Sequence, residues 1–365
     1  MLSVKNITHQ GEEMKLLKKL SQGCGIPGRE EEIRSLIKED LTGHVDAIRT
    51  DRLGNIIATK QGKKTSSTAS TDRCVVAIAA HMDEIGFMVS HIDKETGFLR
   101  IHPVGGFDPK TLIAQRITVH TSSKPLIGAI GTKPVHILTE EDRKKPLDIK
   151  DLFVDLGLPK EKVTELVQIG DPITLRQDFI SYGDLVSGKA LDDRIGIYVG
   201  LEAIKQTKEN VAEIHFIGTT QEEVGLRGAK VVGFEVKPDI SIALDVTLAC
   251  DLPNVPAAEH ITKLGAGVAI KIKDSASISH PGLVKAFRRL AEEKKIPYQM
   301  EILPRGGTDA GALQLVWKGT AAITLSIPTR YVHSVVESAH KEDITAAIDL
   351  LTAFLPIAHT VDLSL

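Results

Sequence analysis

Residues 74–84 read CVVAIAAHMDE. A run of Val, Ile and Ala without alternation is the pattern of a strand buried on both faces, as in a parallel sheet. It ends abruptly in His81 and Asp83. Two further stretches repeat the arrangement: EIHFIGTTQEE at 213–223 closes on Glu222 and Glu223, and ISIALD at 240–245 closes on Asp245. Asp192 follows SGKAL at 187–191, and His333 lies in IPTRYVHS at 327–334. In an open α/β sheet, ligands bind outside the carboxyl ends of the strands. Two imidazoles and several carboxylates delivered to one such edge form an N/O site for hard-to-borderline divalent metals, with no thiolate required.

The rest of the chain supports that frame. Helical spacing of Leu and Ile predicts helices over 12–22 and 29–41, and DAIRTDRLGNIIATKQG predicts a hairpin turning at Leu53-Gly54-Asn55. Residues 64–72 read as a Ser/Thr-rich surface loop. From about 86 to 182 the texture changes to short runs such as FMVSHI, FLRIHPV, QRITVHT and DPITLRQDF, broken by Gly, Pro and Asp. That is the texture of a small β-rich module. Beyond Val186 the longer rhythm returns, with helices expected at 192–205, 281–294, 308–317 and 341–355, and strands at 214–219, 240–245, 266–273, 297–302 and 320–327. Strands alternating with helices predict an α/β fold: a mainly parallel sheet with helices on both faces. One such domain, 1–85 with 183–365, is interrupted by a β-rich insertion at 86–182.

Composition narrows the function classes. The chain has 365 residues, 42% hydrophobic and 25% charged, with a net charge of −3, which favours neither nucleic acid nor an anionic membrane as partner. The first residues, MLSVKNITHQGEEMKLL, lack the layout of a signal peptide, and there is no run of about 18 apolar residues to span a bilayer. Cys24, Cys74 and Cys250 are widely spaced, so a reducing cytoplasm is the expected compartment. One Trp, four Tyr and nine Phe leave few stacking platforms for sugars or bases.

Each site residue has an ordinary alternative when read singly. His81 could be a capped strand-end histidine, Asp192 a helix N-cap, Glu222-Glu223 a solvated acidic turn, Asp245 a turn cap and His333 a loop residue. Their conjunction at strand ends argues for a shared site, enough for two divalent ions with one bridging carboxylate. Positions i and i+2 of an extended segment face the same way, so the Asp83 side chain is expected to orient the ring of His81. Adjacent glutamates diverge, so one of Glu222 and Glu223 can bind metal while the other addresses water.

The segments AAHMDEIGFMV, VSGKALDDRIG, GTTQEEVGLRGA, ALDVT, RGGTDAGAL and IPTRYVHS resemble those of the M42 family of metallo-aminopeptidases. The resemblance extends over nearly the whole chain and includes the middle module through GGFDP, IGTKPVHIL, DLFVDLG and IGDPITL, with Phe107 where Trp is expected more often. It implies a fold of the dinuclear-metal exopeptidase type and removal of N-terminal residues from peptides. His81 and Asp245 would hold one ion, Glu223 and His333 the other, and Asp192 would bridge. Glu222 would be the general base, and Asp83 the partner of His81. Zinc is the expected metal, with cobalt and manganese also accepted. The resemblance further implies a cis peptide between Asp192 and Asp193, dimerisation through the insertion, and dimers that can assemble into a hollow dodecamer, the dimer alone being compatible with the sequence as well. The alternative within the same chemistry is a dizinc deacylase of small N-acyl compounds. A glycosidase needs carboxyls about 5–10 Å apart across a sugar, which adjacent glutamates do not supply. A metal-stabilised scaffold has no use for a glutamate that is not a ligand.

Overall fold

The computed structural model describes residues 14–63 and 74–365. The leader reading, the first residues of the expected helix at 12–22, and the Ser/Thr loop lie outside the described residues. Strands β1 (Ala47–Thr50) and β2 (Ile56–Lys60) form the expected hairpin. The Asp51 carboxylate caps its turn, accepting the N–H groups of Leu53, Gly54 and Asn55. The hairpin is the edge of an 11-stranded sheet that includes β3 (Val75–His81), β10 (Ile180–Tyr182), β11 (Leu185–Gly188), β12 (Glu213–Thr219), β13 (Ile240–Leu248), β14 (Val268–Lys273), β15 (Tyr298–Ile302), β16 (Ala321–Arg330) and β17 (Glu337–His340).

The order is β1-β2-β12-β3-β13-β16-β17-β11-β10, with β14 and β15 branching from β16. The sheet is mixed, which corrects the expectation of a mainly parallel one. Its centre, β12, β3, β13 and β16, is parallel. β2, β17, β11, β10 and β14 join antiparallel. At the hairpins β1-β2, β10-β11 and β16-β17 the reason is connection length. Parallel neighbours need a crossover of a dozen or more residues, whereas residues 331–336 between β16 and β17 permit only a reversal.

Helices cover both faces. Side chains alternate along β3: Val76, Ile78 and Ala80 pack into the large core with α1 (Lys15–Gln22), α2 (Glu31–Leu41), α5 (Leu191–Gln206), α7 (Pro281–Lys294) and α9 (Lys341–Phe354). Ala77 and Ala79 face the other way, against α6 (Arg227–Val236) and α8 (Asp309–Leu313). Among the described residues, no helix is long and apolar enough to cross a membrane.

Between β3 and β10 the chain builds a second body. β4 (Gly86–Ile92), β5 (Leu99–Val104), β6 (Arg116–His120), β7 (Pro125–Gly131), β8 (Phe153–Asp155) and β9 (Pro172–Leu175) close into a barrel, carrying the short helices α3 (Glu140–Lys144) and α4 (Lys160–Leu166) on its connections. It has its own core, including Phe87, Ile117, Val119, Val154 and Ile173. Phe107 stacks on Phe87 with ring centroids 4.4 Å apart. The barrel strands end at Leu175, not at 182: Ile180–Tyr182 turns back at Gly183 to pair with β11 in the large sheet. A two-residue hairpin connection leaves β10 no other neighbour to reach.

Candidate metal centre

The parallel centre of the sheet delivers the first side chains. His81 is the last residue of β3 and pairs in register with Thr219 on β12, so Glu222 and Glu223 emerge just beyond. On the other side Ala79 pairs with Ala243, which puts Asp245 level with His81, two residues further along each strand. Both continue the alternation of Ala79 and Ala243 and so face the same side. Asp192 comes from the first turn of α5, where Asp192 (ψ 104°) and Asp193 (φ −119°, ψ 38°) depart from helical geometry and the peptide between them is cis. His333 comes from the loop after β16, with φ +63°.

These elements bring all five expected ligands together. Donor atoms of His81, Asp192 and Asp245 lie within 4.8 Å of one another, as do those of Asp192, Glu223 and His333. Asp192 belongs to both groups. Its Oδ1 is 3.0 Å from His81 Nε2 and its Oδ2 is 3.3 Å from His333 Nε2. His333 Nε2 is also 3.4 Å from Glu223 Oε1. Glu222 stands beside the groups without joining them, its Oε2 3.9 Å from His81 Nε2.

Asp83 departs from expectation. The atom facing His81 Nδ1 at 3.0 Å is the backbone carbonyl of Asp83, while the nearer carboxylate oxygen is 3.7 Å away. The carboxylate instead accepts the N–H groups of Glu222 and Glu223, each at 3.0 Å. Two parallel N–H donors beyond β12 match its two oxygens better than one ring nitrogen does.

Sequence reasoning missed several supports. Asp193 Oδ2 accepts the His81 N–H at 3.2 Å. Glu337 accepts the N–H groups of Asp192 and His333. Buried Asp309 accepts from Thr219. Lys189 Nζ is 2.7 Å from Glu84 Oε2, and Arg194 donates to the carbonyls of Leu20 and Gly23, tying α1 to the ends of β3 and β11. Their signal was slight, because an ionic group beside a ligand motif looks like solvated surface. Gly105 and Gly106, which follow β5, form one wall. A Cβ on Gly105 would lie 3.4 Å from Glu223 Oε2, and one on Gly106 would lie 3.6 Å from the His333 ring.

The electrostatics test whether metal suits these residues. Burial raises the Asp245 carboxyl well above its ordinary value, and the charge of Asp192 adds to it. Burial likewise raises Glu222, with Asp245, Asp309 and Glu223 reinforcing it against His81. Burial opposes charge on His333, but Asp192 and Glu223 carry it to about 11. His81 is pushed well up by Glu222 and Asp192 despite burial. So many buried carboxylates around two imidazoles call for positive charge. Two His nitrogens and three carboxylates, one shared, fit a pair of divalent ions.

Residues 54–350 match the family model described as M42 glutamyl aminopeptidase. The chain belongs to the M42 family. Its activity is that of an aminopeptidase, a hydrolase of N-terminal peptide bonds. Among M42-like relatives, the chain is 36% identical over 349 residues to a lysyl aminopeptidase of Pyrococcus furiosus, covering 94% of this chain and 96% of that one. A solved aminopeptidase from the archaeon Desulfurococcus kamchatkensis is 37% identical, with a TM-score of 0.89 and 95% of each chain covered. The Pyrococcus horikoshii TET1 peptidase, reported to assemble into a tetrahedron or a large octahedral shell, is 34% identical, with a TM-score of 0.82 over 94% of this chain and 98% of that one.

Proposed function

We propose that this M42 aminopeptidase works through two divalent ions, one held by His81 and Asp245, the other by Glu223 and His333, with Asp192 shared. The observation that carries the reading is the division of Asp192, whose two oxygens face different histidines. Zinc suits this donor set, and cobalt and manganese accept it. When bound, such ions polarise a carbonyl and make water acidic enough to lose a proton near neutral pH.

Glu222 is the general base. It lies beside both ligand groups and belongs to neither, and burial raises its proton affinity. It takes the proton of the attacking water and returns it to the leaving amine. Asp83 sets the direction of Glu222 and Glu223 through their backbone N–H groups. The free α-amine of a peptide would find its place among these carboxylates and the ions they hold. An internal peptide bond, or an acylated N-terminus, brings no free amine. A cleft of ≈ 610 Å³ opens from the centre past Thr247, Ser275 and the 305–307 loop, with room for an N-terminal side chain.

The same reading assigns the dimer contact to the barrel, now 86–175, where Ile127, Val135 and Ile137 are more than half exposed. Dimers closing into a dodecamer accord with the solved relative PhTET1-12s, described as a dodecamer in the asymmetric unit, and with the preference of soluble homo-oligomers for closed symmetry. The unpaired Cys24, Cys74 and Cys250 accord with a reducing, cytoplasmic setting. A panel of aminoacyl-anilides and their N-acetylated forms, assayed with added zinc, cobalt or manganese, tests the reading. Metal-dependent cleavage of the free-amine set alone is the expected result, and preference for the acylated set would make the chain a deacylase.

A further inference from the structure

Glu337 lies outside both ligand groups, yet it touches the backbone of two members. It is the first residue of β17 and only 2% exposed. Its Oε1 accepts the His333 N–H at 2.7 Å, and its Oε2 accepts the Asp192 N–H at 3.0 Å. Both oxygens are therefore occupied, each by the main chain of a different ligand. β17 lies between β16 and β11, with Glu337 opposite Gly188, so Glu337 sits where the loop carrying His333 meets the turn carrying Asp192.

We propose that Glu337 is a positioning residue that fixes His333 and Asp192 relative to one another, so that both can ligate one ion. The proposal rests on the two-ion reading above. An independent observation points the same way. His333 and Tyr331 are both non-glycine residues in the left-handed region, at φ +63° and +61°. A bulky residue there is disfavoured and persists only where surrounding contacts over-determine it. The bond from the His333 N–H to Glu337 is such a contact, made at the strained residue itself. A carboxyl group can offer one oxygen to each of two donors, as Glu337 does here. An amide of the same shape cannot: its one oxygen serves one donor, and its NH₂ confronts the other N–H.

Glu337→Gln in the full chain, titrated with Co(II) in competition with a chelator, tests this through metal affinity and the visible absorption of the bound ion. Loss of such supporting contacts typically costs 10–100-fold in metal affinity. The expected result is at least one equivalent bound tenfold or more weaker, with an altered Co(II) spectrum and near-parental unfolding of the metal-free protein. A purely structural role would lower metal-free stability and leave affinity and spectrum unchanged, and affinity within twofold of the parent would overturn the proposal. If Glu337→Gln does not fold, Glu337→Asp carries the test: it keeps the carboxyl group but is one methylene too short to reach both N–H groups, and parental affinity there would overturn the proposal equally. A parent protein that binds no Co(II) would instead refute the two-ion reading on which this one stands.

Discussion

The Asp83 carboxylate accepts the backbone N–H of Glu222 at 3.0 Å, behind the side chain that faces the metal centre. The main chain of Glu222 is thereby fixed without using its own carboxylate, which the two-ion reading assigns to proton transfer.

Glu222→Gln should therefore keep the fold and both metal equivalents while turnover falls by about 10²–10⁴-fold, the usual contribution of a general base. Elemental analysis of the purified variant beside its kcat checks this. Loss of one metal equivalent would show that Glu222 is a ligand and Glu223 the base.

Chelation should abolish peptidase activity, and zinc, cobalt or manganese should restore it. A carboxylate-pair glycosidase would survive the treatment. Activity that persists after exhaustive chelation, with metal content verified as zero, would contradict the two-ion reading.

Glu30, which belongs to neither ligand group but accepts the N–H of Gln221 beside Glu222, offers a pH-dependent test. Burial raises its carboxyl from an ordinary 4.5 to about 7, against the N–H bonds it accepts from Gly28 and Gln221. A carboxyl whose folded value exceeds its unfolded value favours folding fully below 4.5 and loses that contribution as pH rises through 7. Both N–H groups reach the same oxygen, Oε1, which an amide retains. Glu30→Gln should thus gain stability over the parent by about 1 kcal/mol at pH 5, growing to about 3 at pH 8. Denaturant melts at the two pH values check the trend, and a gap that does not widen would contradict it.

Gly105→Ala should damage the wall between barrel and metal centre. The residue has φ +92°, and a Cβ would lie 2.6 Å from the Ile85 methyl. Overpacking and a left-handed alanine together predict a loss of about 1–3 kcal/mol and reduced turnover. Thermal unfolding and kcat of the variant test both; parental values for both would contradict the prediction.

Light scattering on the metal-loaded protein tests assembly. The expected species has twelve times the 39.5 kDa chain mass. A single dimer-sized species would contradict the closed shell, and a monomer the barrel contact as well.

The convergence of the five expected ligands was legible because each follows an apolar run or opens a helix, and a parallel sheet aligns such ends. The supporting carboxylates were not legible: Asp193 acts on the N–H of His81 and Glu337 on that of Asp192, both far away in sequence, and the contact of Glu337 with nearby His333 is to backbone, which leaves no mark on residue type. Asp83 was found, but its carboxylate faces the Glu222-Glu223 turn because a donor pair arrives there from another strand. Helix α6 was missed, since RGAKVVGFEV carries two Gly and three Val that propensity disfavours. Burial of Ala229 and Val232 against the sheet outweighs that cost. The sheet's antiparallel hairpins depend on short connections that the apolar pattern does not record.

Val335 is two residues from His333, yet its side chain belongs to the core of the barrel. The segment that supplies a metal-centre histidine is thus anchored in the other body. The barrel is consequently not a detachable accessory. Grafting another M42 barrel onto this chain, or trimming it to a short linker, would leave the 331–336 loop without its mooring and the chemistry impaired, however well the large sheet folds. Recombination between relatives should therefore preserve function only when barrel and loop are inherited together.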